Sequence, residues 1–416
     1  MDSPVSVAIV GAGNRGSGFA EIISRFPQLA RIGAVAEPRR EYREAFAAQY
    51  QLPQGGVFTD WRDLAARPRL CDAVIVATMD REHVDSAVAF TGLGYHMLLE
   101  KPMATSLEDC RRIVRAQAEA GTITSVCHSL RYNHRFAELK RVVESGRIGR
   151  VVTIDQLEQV AWWHHAHSYV RGNWGNEGRS TFMLLAKSCH DIDYIAHLVG
   201  AVCRRVASYG SLSYFTRQNA PAGSGERCTS CALEPGCAYS ALKHYVESDR
   251  GQWPAAMVSA EHSREAHLAA LADGPYGRCV WKCDNDVVDH QVVCMEFDAG
   301  VTATFTMTAF TQGEGRRIRV HGTEGEVEFT EAEMSVRTFA DNRTERVVLE
   351  TEEGGHGGGD ARVVMSFLAA IREKNAALVI TDVRESLRSH AIVFAAELSR
   401  REGRMVTMKE MEEVEA

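Results

Sequence analysis

The sequence lacks three features that would direct it to a membrane, an export pathway or nucleic acid. It has no window of about 18 apolar residues of the kind that spans a membrane. It passes almost directly into an apolar strand pattern instead of a signal peptide, which predicts a cytoplasmic protein. Its 47 basic and 55 acidic residues are mixed along the chain, and the net charge of -8 argues against nucleic acid or an anionic membrane as partner.

Disulfide bonds are not expected either, although the sequence contains 11 cysteines, because cytoplasmic thiols stay reduced. The spacing of Cys228, Cys231 and Cys237 suits a tetrahedral structural zinc site that needs a fourth ligand. Cys279 and Cys283 are plausible donors, and Cys283 completes the predicted set. Free buried thiols are the alternative interpretation.

An apolar strand that ends in closely spaced glycines is the first functional motif. Residues 5–10 are apolar, and the G-x-G-x-x-G spacing follows at once. Such glycines allow a tight turn, the approach of a pyrophosphate and the packing of helix on strand, with the phosphates at the helix N-terminus. The predicted cofactor contacts of this turn are Gly11, Gly13, Asn14, Arg15 and Gly16.

An acidic residue ends the second strand about 20 residues further on, where dinucleotide-binding proteins hold the ribose. Glu37 would accept hydrogen bonds from the ribose hydroxyls of NAD and repel the 2′-phosphate of NADP. Arg39 and Arg40 follow directly and weaken this distinction. The sequence therefore favours NAD over NADP.

The next apolar strand, at 72–77, leads into Thr78, Asp80 and His83. Ligands bind at the carboxyl ends of parallel strands, so these residues are predicted cofactor contacts. A structural contact at the N-terminus of the following helix is the alternative for His83.

A further strand ends in the triplet Glu100, Lys101 and Pro102. A lysine at this position could hydrogen-bond a substrate hydroxyl and stabilise the alkoxide that forms as hydride leaves. Glu100 could hold this lysine by an ion pair and lie beside the cofactor. A surface ion pair is the alternative interpretation.

A loop dense in tryptophan, histidine and arginine follows the strand at 151–160. Indole rings suit the C–H face of a pyranose, and histidine and arginine offer donors for hydroxyls or an anion. An aromatic core loop is the alternative. The predicted substrate contacts here are Trp163, His164, His167, Tyr169, Arg171 and Trp174.

The segment 183–198 has apolar residues at helical spacing and carries Lys187, His190 and Asp193. His190 and Asp193 lie three residues apart, so the carboxylate could orient the imidazole. Lys187 would add a cation for an anionic substrate. Further on, a glycine-rich loop at 354–359 should let His356 reach the site, and Asp360 is predicted to cap the helix that follows.

These motifs together resemble the glucose-fructose oxidoreductase / inositol dehydrogenase / MocA family. The resemblance rests on the glycine fingerprint, the Glu-Lys-Pro triplet, and a histidine three residues before an aspartate. It implies that Lys101 and His190 are catalytic. It also implies that the segment 128–133 touches cofactor and substrate, with Arg131 as a cofactor contact.

The resemblance further implies an α/β fold with an N-terminal Rossmann domain and a C-terminal α+β domain on a large, mostly antiparallel sheet. We expect the NAD-binding domain at 1–128 and the substrate-binding and oligomerisation domain at 129–416, with a cysteine-containing insertion near 201–285. NAD is the expected cofactor, with a structural zinc as a second possibility, and the expected assembly is a homodimer or homotetramer.

One position departs from the family pattern, since Ala186 stands where an aspartate is usual. The loop and the Lys187–His190 segment resemble the NAD-dependent sulfoquinovosidases, in which an oxidation at sugar carbon 3 by bound NAD⁺ enables glycoside hydrolysis. Arg171 and Lys187 would suit such a sulfonated sugar. The alternatives are a net sugar or inositol dehydrogenase and a dinucleotide sensor without enzymatic activity.

Overall fold

Continuous apolar segments in the N-terminal third form a parallel sheet whose central strands are buried on both faces. The computed structural model describes residues 3–350 and 352–413. The strands are β1 (Val5–Val10), β2 (Ala30–Ala36), β3 (Val57–Phe58), β4 (Ala73–Val76), β5 (His96–Leu99) and β6 (Thr124–Val126). Their order, β3-β2-β1-β4-β5-β6 with every pair parallel, is that of a Rossmann domain. Every residue of β1 and β4 is buried, which explains why these strands show no polar alternation.

Five helices connect these strands and cover the two faces of the sheet. They are α1 (Asn14–Ser24), α2 (Arg40–Gln49), α3 (Trp61–Ala65), α4 (His83–Gly92) and α5 (Leu107–Ala120). The side chain of Ser106 caps α5 by accepting from the Asp109 N–H, and Gly121 ends that helix in the left-handed conformation.

The second half of the chain builds a nine-stranded sheet. Its strands are β7 (Val151–Gln159), β8 (Cys203–Ser211), β9 (His290–Phe297), β10 (Thr302–Thr308), β11 (Gly315–Gly322), β12 (Gly325–Thr330), β13 (Glu333–Thr338), β14 (Arg343–Val348) and β15 (Val406–Thr407). They lie in the order β14-β13-β12-β11-β7-β10-β9-β8-β15, and only β7 and β10 run parallel. The predicted fold class is therefore confirmed.

The remaining helices pack around this sheet and its connections. They are α6 (His134–Glu144), α7 (Trp162–His165), α8 (Met183–Ala186), α9 (Cys189–Val199), α10 (Ala241–Tyr245), α11 (Arg264–Asp273), α12 (Gly359–Glu373), α13 (Val383–Glu402) and α14 (Met408–Glu413). Within the described ranges, none of the helices combines the length and the apolar character needed to cross a membrane.

Two segments lie elsewhere than the sequence suggested. Helix α12 returns to the first domain, where Val363 and Phe367 share a core with β1 and β2. The insertion does not begin at 201, because β8 pairs with β9 along its length and belongs to the sheet. The segment between these two strands, residues 212–289, is called the insertion below.

Helix α13 joins the two halves of the molecule, since Val383 packs in the first domain and Ile392 in the second. His390 of this helix is completely buried. Its Nε2 accepts a hydrogen bond from the Met103 N–H at 2.9 Å, and its Nδ1 lies 2.8 Å from the Ser386 carbonyl oxygen. The ring is thus a neutral linker, and burial lowers its pKa to about 3.

Replacing His390 with Gln should flatten the acid dependence of stability. The folded pKa of about 3 lies below the ordinary histidine pKa of 6.5, so the unfolded chain binds the additional proton. The stabilisation is complete above the unfolded pKa and is lost as the pH falls toward the folded pKa. His390 alone contributes at most about 1.4 kcal/mol per pH unit to the slope of the free energy of unfolding against pH.

Urea unfolding of the wild type and of His390→Gln, at several pH values within that window, measures the two slopes. The matched control is His262→Gln, because His262 is exposed. Equal slopes in the wild type and the His390 variant would contradict the neutral-linker assignment.

Candidate active site

The turn between β1 and α1, at residues 11–16, forms a concave site lined by backbone atoms, which is called the cradle below. Gly11 has φ of +88°, and a Cβ there would lie 2.5 Å from the Ala77 carbonyl oxygen. A Cβ on Gly16 would lie 1.9 Å from the Gly11 carbonyl oxygen. Gly13 precedes α1 without a side-chain cap, so the first N–H groups of the helix are open to an anion. The cradle fits a dinucleotide pyrophosphate.

Glu37 lies at the end of β2 beside this cradle and is 2% exposed. Its carboxylate accepts from the Ala12 N–H at 2.9 Å and from Arg39 Nε at 2.7 Å. Burial would raise the pKa of Glu37, but the Arg39 hydrogen bonds outweigh burial and lower it. The ionised carboxylate is therefore set where a ribose would bind, with a guanidinium next to it.

Three polar side chains follow the end of β4, and two of them already have hydrogen-bond partners. The Thr78 hydroxyl is buried and has no partner among the described residues. Asp80 accepts from the Trp174 indole N–H at 3.2 Å and from the Ser180 hydroxyl. The His83 ring lies 2.7 Å from the Pro102 carbonyl oxygen. Thr78 thus remains available to a cofactor, while Asp80 and His83 position neighbouring segments.

Lys101 projects from the end of β5 toward the second domain, where its Nζ donates to the Ala186 carbonyl oxygen at 2.7 Å. Glu100 does not form the expected ion pair with this lysine. Its carboxylate accepts instead from the Lys101 backbone N–H at 2.9 Å and from Arg15 Nε at 2.5 Å. Arg15 also donates to Asp360 at 2.5 and 3.0 Å. The ion-paired Glu100 therefore orients the backbone that carries Lys101.

His190 lies in α9, is 3% exposed, and has no hydrogen-bond partner for either ring nitrogen among the described residues. Its ring centroid is 5.9 Å from that of His128 and 5.3 Å from that of His356. Burial, and then Lys101 and His356, lower the pKa of His190 well below its usual range. A neutral imidazole beside Lys101 can accept a proton.

Asp193 does not orient His190, which corrects the sequence interpretation. Both of its oxygens accept from Arg131, at 2.7 Å each. Positions three apart on a helix diverge by about 60°, and a bidentate guanidinium is a stronger partner than an imidazole. Arg131 also donates to the Ile380 carbonyl oxygen at 3.2 Å. It therefore connects buried segments of the chain and does not lie in the cofactor cradle.

Lys187 is already paired. Its Nζ lies 3.1 Å from Glu158 Oε1 on β7, and Arg316 Nε lies 2.8 Å from Glu158 Oε2 and 2.9 Å from Asp191 Oδ1. Burial raises the pKa of Glu158 to about 7, although Arg316 and Lys187 act to lower it. The cation predicted for an anionic sugar is therefore balanced by a buried carboxylate.

The aromatic loop folds as α7 followed by a π-helical turn at Ala166–Arg171. The rings of Trp163 and His164 contact Trp253 of the insertion at centroid distances of 5.4 and 4.8 Å. The Tyr169 ring lies 6.4 Å from Trp174, whose indole reaches Asp80 at the end of β4. Burial lowers the pKa of His164, and Lys187 and Lys101 lower it further, although its hydrogen bond with Glu314 raises it. This side of the loop therefore lies close enough to Lys101 and Lys187 for their charges to act on His164.

Arg171 and His167 are both held by groups of the insertion, which corrects their assignment to the substrate site. Arg171 is 2% exposed and donates to the carbonyl oxygens of Arg278 and Tyr239 at 2.8 and 2.7 Å. His167 Nδ1 lies 3.0 Å from the Tyr245 hydroxyl, and burial lowers the pKa of His167 to about 3. Residues four apart share a face of a helix, so this face packs on the insertion.

The predicted zinc ligands do not form a ready coordination site. Cys228, Cys231 and Cys237 line one cavity together with Cys279. Cys283 is not part of that lining, and its Sγ donates to the Cys279 carbonyl oxygen at 3.3 Å. Throughout residues 3–350 and 352–413, no three His, Cys, Asp or Glu side chains are placed to hold a metal ion.

Two family models match the chain over most of its length. Residues 5–128 match the oxidoreductase family's NAD-binding Rossmann fold, and residues 140–408 match the C-terminal alpha/beta domain of the same family. The chain belongs to the Gfo/Idh/MocA oxidoreductase family. NAD binding and oxidoreductase activity, which the sequence predicts, are confirmed at this level.

Individual relatives agree with the assignment to this family. YteT of Bacillus subtilis (strain 168) is 26% identical over 362 residues, which are 82% of this chain and 77% of that protein. Inositol 2-dehydrogenase 2 of Saccharopolyspora erythraea is 29% identical over 197 residues, 47% of this chain and 54% of the dehydrogenase, so the chain matches about half of it. Levoglucosan dehydrogenase in complex with NADH has a TM-score of 0.72 at 18% identity, over 98% of this chain and 99% of that one, which shows a shared fold.

Several residues of this oxidoreductase site were missed or misplaced by the sequence interpretation. Gly358, and not Asp360, is the N-cap of α12, and Asp360 binds Arg15, the Ser129 hydroxyl and the His356 ring. His128 and Glu158 were not singled out. No local pattern marks them, because an isolated histidine and a glutamate in a strand are ordinary residues until the fold buries them.

Replacing Gly16 with Ala should weaken NAD⁺ binding at least about tenfold, or 1.4 kcal/mol. The added Cβ would collide with the Gly11 carbonyl oxygen and force the cradle open. Gly18→Ala is the matched control in the same helix, because its Cβ would meet nothing within 4 Å. Calorimetric titration of NAD⁺ into both variants measures the difference, and equal affinities would contradict the cradle.

Proposed function

We propose that this protein is an NAD-dependent dehydrogenase that oxidises a secondary hydroxyl of a sugar or cyclitol. The observation that carries the proposal is a buried, neutral His190 whose ring nitrogens have no hydrogen-bond partner among the described residues and whose pKa is lowered by burial and by the charge of Lys101. Lys101 comes from the carboxyl end of β5, where ligands of such sheets bind. The names of an inositol dehydrogenase and a levoglucosan dehydrogenase among similar proteins support this substrate class.

The chain's own groups divide the chemistry between them. Lys101 Nζ, whose partner Ala186 is a neutral carbonyl, would donate a hydrogen bond to the substrate hydroxyl oxygen. The open imidazole of His190 would accept the hydroxyl proton. The glycine cradle and Glu37 would hold NAD⁺, which would supply the acceptor for the hydride of the carbinol carbon. Trp163 and Trp174 would cover the sugar ring and limit water at the reacting carbon.

Glycoside hydrolysis through transient oxidation, which the sequence analysis put first, stays a prediction. The argument for a sulfonated sugar used Arg171 and Lys187 as anion-binding groups. Arg171 is buried against the insertion and Lys187 is paired with Glu158, so neither offers a free positive charge. We therefore place net dehydrogenation of a neutral polyol before hydrolysis.

Replacing Lys101 with Met or His190 with Asn should lower kcat by about 10²- to 10⁴-fold, the usual contribution of a positioned acid or base. NAD⁺ affinity should stay near that of the wild type, because neither side chain builds the glycine cradle. Lys374→Met, at an exposed helix end, is the control. Unchanged turnover in both active-site variants would refute the mechanism, whereas NAD⁺ binding by a wild type that turns over no substrate would leave the dinucleotide sensor as the alternative.

One assay separates the two reactions. The purified enzyme is given NAD⁺ with myo-inositol, levoglucosan or an aryl sulfoquinovoside, and NADH absorbance and aglycone release are followed together. NADH accumulating in step with substrate consumption is the expected result. Aglycone release without net NADH would establish the redox-neutral hydrolase and overturn the proposed dehydrogenase.

A further inference from the structure

We propose that the insertion binds one divalent metal ion of the zinc class through the thiolates of Cys228, Cys231, Cys237 and Cys279. This site includes neither Lys101 nor His190 and does not depend on the proposed function. It differs from the sequence prediction in its fourth ligand, which is Cys279 and not Cys283. A shared cavity, the net positive charge of its lining, and an indole N–H that has no acceptor among the described residues support this site.

The four cysteines line one cavity of about 430 Å³. Short turns bring them there. The Cys279 N–H donates to the Glu226 carbonyl oxygen at 2.9 Å, and Arg227 and Arg278 form a single antiparallel bridge beside it. Cys228 and Cys279, which are far apart in sequence, are thus held next to the same bridge, while Cys231 and Cys237 follow on the next two turns.

Two arginines, Arg171 and Arg227, and one carboxylate, that of Glu234, line this cavity, so its lining carries a net positive charge. Arg171 is 2% exposed, and its guanidinium contacts two carbonyl oxygens and the Cys228 sulfur, at 3.5 Å, but no carboxylate among the described residues. Arg227, which also lines the cavity, donates to the carbonyl oxygens of Leu271 and Gly274. A buried guanidinium requires a counter-charge. A divalent ion with four thiolates carries a charge of about -2, which would be the missing counter-charge for Arg171 and Arg227.

Two further groups around the cavity are donors suited to thiolate sulfur. Trp281 is 7% exposed and lines the cavity, yet its indole N–H has no acceptor among the described residues. The Gly225 N–H donates to the Cys231 sulfur at 3.2 Å. N–H donors of this kind orient metal-bound ligands and stabilise their charge.

The sulfur atoms are not yet at coordination spacing in this structure, as no three such side chains in the described ranges are. Rotation between staggered χ1 positions moves each sulfur without moving the backbone. We infer that the ion draws the four thiolates inward. Because Arg171 ends the π-helical turn of the aromatic loop, the metal centre would also fix that loop.

The test measures metal bound to the full-length protein, purified under reducing conditions with zinc in the growth medium. Elemental analysis of the wild type should find about one zinc per chain. Cys228→Ser and Cys279→Ser should lose it, whereas Cys283→Ser is the matched control and should keep it. Equal zinc loss in the Cys283 and Cys279 variants would overturn the assignment of the fourth ligand.

Two other measurements keep the proposal open to refutation if the serine variants fail to fold. Cobalt exchanged into the wild type should give the visible bands and sulfur-to-metal charge-transfer absorption of a tetrahedral thiolate site. Protein that is free of metal and takes up neither zinc nor cobalt would overturn the proposal. Fewer than 11 titratable thiols after chelation and unfolding without reductant would indicate a disulfide, and bound iron with sulfide would indicate a cluster; either result overturns it.

Discussion

The ion-pair chain from Glu100 through Arg15 to Asp360 is the interaction on which the site depends. It joins groups 85 and 345 residues apart in sequence, and its carboxylates are 5% and 3% exposed. Charges this deeply buried are stable only as a matched set. Glu100 orients the backbone of Lys101, and Asp360 contacts the His356 ring, which lies against His190, so one arginine links the segments that carry Lys101 and His356.

The aromatic loop makes a second connection, between the active site and the insertion. The rings of Trp163, His164 and His167 all contact Trp253 of the insertion, Arg171 donates to carbonyl oxygens there, and the charge of Lys101 acts on His164. The proposed substrate contacts and the cysteine cavity therefore share a single helical segment. In this chain, the insertion is part of what shapes the substrate site.

Short sequence motifs allow site residues to be predicted where the chemistry depends on residues close together in the chain. The glycine turn could be read because only Gly11 and Gly16 leave space for the adjacent carbonyls. Glu37 and Lys101 could be placed because strand ends collect at one edge of a parallel sheet. The ion pairs could not be predicted from the sequence, because Lys187 pairs with Glu158 and Asp193 pairs with Arg131 across long separations in the chain.

The sequence by itself determined the fold class and the glycine turn of the dinucleotide cradle, and it predicts Lys101 and His190 as the catalytic residues. These follow from hydrophobic period, glycine stereochemistry and strand-end position, which act over a few residues. Only the tertiary structure decided which cations are free. Arg171 and Lys187 looked equally available along the chain, but helix rotation turned one into the insertion, and a carboxylate on β7 neutralised the other.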